Sequence, residues 1–219
     1  MFHYHLRLDT MMQNQNRNTK KAAPQTVMSR LEQLHPHKTL LYLAIFGSTL
    51  IFAFMIIAYS TGEANDHIHF EMPKAFIVSL VLLLFSSYFI AKATSAFKED
   101  DMAALKNSLG ITLLLGTAFT ISQYVGWYEL KQSGIYLSGH KSGAYLYVIS
   151  GLHVLHLAIG LVFLTMMYTQ VSTIARNPVK RLIMVTNPYQ RIRLEMLTTY
   201  WHFIDILWVG LFFYFLFSF

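Results

Sequence analysis

Residues 144 to 170 read AYLYVISGLHVLHLAIGLVFLTMMYTQ, without one Asp, Glu, Lys, Arg or Pro. A hydrocarbon core about 30 Å thick is crossed by roughly 20 helical residues at ~1.5 Å each, so this stretch is long enough to span it. In lipid the backbone has to satisfy its own N–H and C=O groups. A continuous apolar run does this as a helix, whereas a barrel strand alternates apolar and polar over about ten residues. Four more stretches share the character: Leu40 to Tyr59, Pro73 to Ala96, Leu109 to Tyr128 and Leu197 to Phe219. The predicted fold is therefore an all-α membrane protein, a bundle of five transmembrane helices.

Composition agrees. Charged residues make up only 13% of the chain and hydrophobic ones 54%, far from the balance that coats a soluble domain. With no cysteine, disulfides, thiolate metal sites, c-type heme attachment and cysteine nucleophiles are excluded. The formal charge of +6 does not point to nucleic acid, because the basic residues lie in alternate connecting segments. One side receives Arg7, Arg17, Lys20, Lys21, Arg30, Lys38, Lys92, Lys98, Lys106, Arg176, Lys180, Arg181, Arg191 and Arg193; the other receives only Lys74, Lys131 and Lys141. By the positive-inside rule the N-terminus is cytoplasmic and the C-terminus periplasmic.

Residues 1–38 read as a polar, basic, mostly disordered cytoplasmic tail, and residues 39–219 as the transmembrane domain. The tail has no apolar core of a signal peptide, and Met11 and Met12 are candidate alternative starts. Within it, Val27 to Leu34 has the pattern of a short interfacial helix, ended by His35-Pro36-His37. The acidic run Glu99-Asp100-Asp101 and the outer-loop His67 and His69 read as solvated loop residues. There is no internal repeat, phosphate loop or Ser-His-Asp set.

Polar groups within the spans are expensive and so are functional or tightly paired. They are Gln123 in the third span, His153 and His156 in the fourth, and His202 and Asp205 in the fifth, with Glu195 leading into the last of these. Counting from the proposed helix ends puts His156 roughly 18 Å and His202 roughly 22 Å below the outer boundary, so the two are expected to meet. Gln123, at roughly 8 Å, and His153, at roughly 14 Å, form a second expected pair. Heme or metal ligation is the sharp reading of these histidines. A hydrogen-bonded network between helices is the plainer one, with Asp205 placed to orient His202. Glu195 is expected to face Arg191, Arg193 or an inner partner. Tyr200, Trp201 and Trp208 read as interfacial or packing aromatics, and Gly116, Gly151 and Gly160 as close helix contacts.

Tyr200-Trp201-His202-Phe203-Ile204-Asp205-Ile206-Leu207-Trp208 resembles the YWHFVDxxW signature of heme-copper oxidase (cytochrome c oxidase) subunit III. Ser150-Gly151-Leu152-His153 through His156 and Gly160 is similar to that family's TGFHxxHVxxG segment. Thr112, Leu115-Gly116, Phe119, Gln123 and a slightly displaced Glu129 follow T(I/L)xLGxxFxxxQxxE. The resemblance runs from Leu40 to the C-terminus and is closest to the five-helix bacterial form, lacking the first two helices of long members. Where the family often carries a carboxylate, within Phe46 to Leu50, this chain has Thr49.

The resemblance implies a non-catalytic subunit of a proton-pumping oxidase in the aerobic respiratory chain, in the bacterial inner (plasma) membrane. It would stabilise subunit I and support proton uptake, with subunit II and a larger respiratory supercomplex as further partners. Hemes and copper are expected in partner subunits, and bound phospholipid on this chain. Gln123, Glu129, His153, His156, Glu195, Trp201, His202, Asp205 and Trp208 are the motif residues so implied, and no activity is expected of the chain alone. Subunit III of a quinol oxidase or of a nitric oxide reductase-related complex is the near alternative. A stand-alone di-histidine heme protein or a small transporter is the distant one, although no paired broken helices suggest transport.

Overall fold

The computed structural model describes residues 36–62, 73–137, 141–175, 181, 183–184 and 187–218. The chain divides into two compact units, 1–42 and 43–219; of the first, only 36–42, the opening of a helix, is described. The helix expected at Val27 to Leu34 and the loop with His67 and His69 lie outside the described residues.

Five helices follow in order: α1 Pro36–Gly62, α2 Lys74–Lys98, α3 Met102–Gln132, α4 Lys141–Ile174 and α5 Pro188–Ser218. All five are long and apolar enough to cross a membrane, which makes the chain a multi-pass membrane protein, as the apolar runs predicted. The helices are longer than those runs because polar turns continue the backbone ladder beyond the apolar part. α3 starts seven residues before Leu109: the Asp101 carboxylate accepts from Ala103 N at 3.0 Å and Ala104 N at 2.9 Å, satisfying two otherwise orphaned donors. Asp101 is thus a helix cap, where the sequence suggested only a wet loop. α5 starts nine residues before Leu197, where Asn187 Oδ1 accepts from Tyr189 N at 2.9 Å and Pro188 takes the first helical position. Pro36, expected to end a helix, begins α1 instead, a position in which its missing N–H costs nothing.

Helices α2 to α5 form the body. α3 packs against α2 and α4, and α5 closes the ring by packing against α4 and α2. Small residues bring the backbones together, since in lipid helix association depends on close packing rather than on hydrophobic expulsion. At Gly116 an added Cβ would lie 3.0 Å from both Leu161 and Trp201, and at Gly160 it would lie 3.3 Å from Ile204 and Tyr200. Gly126 is tighter still against the Phe76 ring, whereas Gly151 is loose, its nearest neighbour being Trp127 at 3.9 Å. The core centres on Trp201, Trp208, Phe119 and Phe76, all at most 1% exposed. Trp201 and Trp208 are therefore packing aromatics and not interfacial anchors.

Residues 43–62 of α1 attach to this body on its α4 and α5 side. Phe52 meets the His156 ring edge-on at 5.5 Å, and Tyr59 meets Tyr145, Tyr214 and Phe215. Ser60 and Tyr214 share a 2.7 Å hydrogen bond. These contacts run antiparallel along α4 and parallel along α5.

Candidate functional site

The polar residues of the motifs fall into two sets with different surroundings. His156, half-buried on α4, uses both ring nitrogens. Nδ1 lies 2.8 Å from the Leu152 carbonyl, which can only accept, so Nδ1 carries the proton; Nε2 then accepts from the Ser48 hydroxyl of α1 at 3.1 Å. His202, half-buried on α5, bonds the Ser87 hydroxyl of α2 through Nδ1 at 2.7 Å. Two more polar links accompany it on the same helix pair: Trp201 Nε1 donates to Ser86 Oγ at 2.8 Å, and Thr94 and Thr198 pair at 2.9 Å.

The expected meeting of His156 and His202 is therefore not made. The two histidines are nevertheless close in height. Gly160 lies against Trp201, and His153 against Trp208, a register that puts His156 within about one helical turn of His202 in height. They face different ways, His156 toward α1 and His202 toward α2. With both nitrogens of His156 engaged and the rings aimed at different helices, the geometry does not present the opposed imidazoles of a bis-histidine heme site. Among the described residues, no group of three or more His, Asp or Glu is placed to hold a metal ion.

The second set is deeply buried: Gln123 at 0% exposure, His153 at 1%, Asp205 at 4% and Trp208 at 1%. Contacts of Gly116 with Leu161 and of Trp127 with Ser150 set α3 against α4 so that Gln123 stands beside His153 in height. The second expected pair is thus level, yet no hydrogen bond joins it. His153 instead packs on Trp208, ring centroids 4.9 Å apart and tilted by 30°, and edge-on to Phe119 at 5.6 Å. Trp208 is boxed at right angles by Phe119 at 5.3 Å and Phe76 at 5.6 Å. Both amide atoms of Gln123, both nitrogens of His153, both oxygens of Asp205 and Nε1 of Trp208 have no protein hydrogen-bond partner. The Ser87 hydroxyl bonds His202 and not the Asp205 carboxyl. Asp205 does not orient His202; Ser87 does.

Glu195 pairs with Arg191 one turn earlier at 2.9 Å, one of the two local partners expected. Arg193 reaches Gln170 Oε1 at 3.0 Å. Glu129 lies at the start of α2, with Oε2 3.5 Å from Ala75 N, where a carboxylate complements the free N–H groups of a helix N-terminus. The serines that receive the two histidines were not singled out from the sequence. One signal was present: Ser79, Ser86 and Ala93, and beside them Ser87 and Thr94, recur every seven residues along α2, the spacing of a small-residue contact stripe.

The sequence model of a family described as "Cytochrome c oxidase subunit III" matches residues 36–219. A probable cytochrome c oxidase subunit 3 of Nocardia farcinica is 28% identical over 165 residues, 74% of this chain and 76% of that protein. A cytochrome c oxidase subunit 3 of Corynebacterium diphtheriae is 23% identical over 206 residues, 89% of this chain and 94% of the other. A cytochrome bo(3) ubiquinol oxidase subunit 3 of Buchnera aphidicola is 25% identical over 178 residues, covering 78% of this chain and 88% of that one.

Proposed function

The chain belongs to the cytochrome c oxidase subunit III family, and we propose that it acts as the non-catalytic membrane subunit that packs on and steadies the catalytic subunit of a respiratory oxidase. The observation that carries this reading is where the signature falls. Trp201, His202, Asp205 and Trp208 occupy the centre of the four-helix body and its α2 seam, a place suited to holding a scaffold together and not to meeting a soluble substrate.

In this reading the chain sits in a bacterial plasma membrane with its basic loops in the cytoplasm. Subunits I and II carry the hemes and copper, and this chain supports proton uptake by shaping the surroundings of the catalytic subunit. The apolar surface that α1 exposes, including Leu43, Phe46 and Phe54, would be covered by phospholipid or by a neighbouring subunit. The test is gentle detergent purification of the tagged chain, followed by identification of co-purifying proteins and a visible spectrum. A heme-bearing oxidase core in stoichiometric amount is expected. A monodisperse chain without partners, or one showing a heme spectrum of its own, would reject the reading.

A second reading within the family is supported by the Buchnera relative named as a ubiquinol oxidase subunit. Electron donor choice would reside in the partner subunits. A co-purifying subunit with a dicopper site favours cytochrome c, and its absence with quinol-dependent oxygen uptake favours quinol.

A further inference from the structure

Seven polar atoms of four side chains converge from three helices without a partner in the protein. Gln123 comes from α3, His153 from α4, and Asp205 and Trp208 from α5. We infer that these four side chains enclose an internal water site at the heart of the bundle, bridging groups that do not reach one another directly.

The stack of His153 on Trp208, boxed by Phe119, fixes three ring planes and so fixes the directions of their edge nitrogens. Two rings stacked in this way cannot hydrogen-bond to each other. Asp205 lies about one turn from Trp208 on the same face of α5, and Gln123 about one turn from Phe119 on α3, so the four groups line a column around the stack. In a bilayer these groups cannot turn outward to find solvent, and a buried polar atom left unmet is destabilising.

The donor and acceptor inventory selects the occupant. Trp208 Nε1 only donates, the Gln123 amide donates and accepts, a neutral imidazole does one of each, and the Asp205 carboxyl accepts and, when protonated, also donates. A cation is disfavoured by the Trp208 and Gln123 N–H donors, and an anion by Asp205. Water both donates and accepts, and it settles where two to four polar groups surround it. On the α2 side, Ser87 bonds half-buried His202 at the edge of the body.

The test is water-edited solid-state NMR on the intact detergent-purified complex with 15N-labelled histidine, which reads magnetisation passed from water to each imidazole. Strong transfer to His153 is expected in the wild type, although its ring is as buried as any apolar core residue. Gln123→Leu, which fills the space with an apolar side chain of similar size, should cut the His153 signal by more than half and leave His202 unchanged. Trp208→Phe, which removes the one N–H together with the five-membered ring but leaves an aromatic ring against His153, should retain most of it. Absence of transfer to His153 in the wild type overturns the proposal without any variant having to fold. So does a signal indifferent to Gln123→Leu, or a high-resolution map with Gln123 bonded directly to His153 and no density between them.

Discussion

Helix α1 and the body formed by α2 to α5 are both apolar enough for a bilayer, yet they are held by different means. Within residues 43–62 of α1, Leu43, Phe46 and Phe54 are each more than 60% exposed, whereas Trp201, Trp208 and Phe215 of α5 are at most 1% exposed. The body is closed by Trp201 seated on Gly116 and Gly160, whereas residues 43–62 of α1 are joined to it, among the described residues, through apolar packing of Phe52, Met55 and Ile56, aromatic edges, and hydroxyl contacts such as Ser48 to His156 and Ser60 to Tyr214. Apolarity therefore says that a helix enters the membrane and nothing about how firmly it is attached there. Attachment depends on whether small residues let the backbones approach.

Removing a side chain from the body should cost far more than removing one from the α1 seam. The largest effect is expected for Trp201→Ala. Its indole is 0% exposed, touches Gly116 and Gly160, and donates to Ser86, so a loss of about 3–5 kcal/mol follows from the void alone. In practice the complex should lose this subunit, read by subunit stoichiometry after purification and by a fall in Tm. Normal stoichiometry and Tm would mean that the body is not the firm part.

Gly126→Ala sharpens the same point from the other direction by adding volume. The new methyl would run into the Phe76 ring, itself packed on Trp208, and overpacking of this kind costs about 1–3 kcal/mol. A Phe76→Leu second change should restore part of the lost Tm. If it restores none, the clash between α2 and α3 is not the cause.

His202→Ala removes the partner of Ser87 and is expected to cost about 1 kcal/mol, within the range for a buried hydrogen bond. Heme content per assembled complex should stay normal, measured by pyridine hemochrome against protein. Loss of a heme with assembly intact would revive ligation.

The smallest effect is expected at the α1 seam. Ser48→Ala leaves His156 Nε2 without its hydroxyl donor, worth about 0.5–1 kcal/mol. Protease sensitivity near the start of α1 should rise while the Tm of the body barely moves. A Tm loss equal to that of Trp201→Ala would break the contrast between the two regions.

Much of this was legible in the sequence. Long apolar runs gave the five spans, and the Tyr200 to Trp208 segment gave the family, because its aromatic, imidazole and carboxyl groups recur at spacings that few unrelated helices share. Helix starts could have been read more closely from Asn187-Pro188 and Asp101, where capping chemistry extends a helix beyond its apolar part. The partners of the histidines were harder to see. Ser48 and Ser87 are small, common residues whose role depends entirely on what stands opposite them.

Sequence by itself determined depth. Rise per residue is constant along a helix, so the heights of His153, His156, His202 and Asp205 follow from counting, and His156 and His202 do lie within about a turn of one another. Tertiary structure alone decided azimuth. Which way a side chain faces has meaning only once the neighbouring helices are placed. That placement turned His156 toward α1 and His202 toward α2, and left Gln123, His153, Asp205 and Trp208 facing inward together. Helix order in space is set by packing between segments far apart in the chain, through contacts such as Gly116 and Gly160 against Trp201, and no local pattern encodes it.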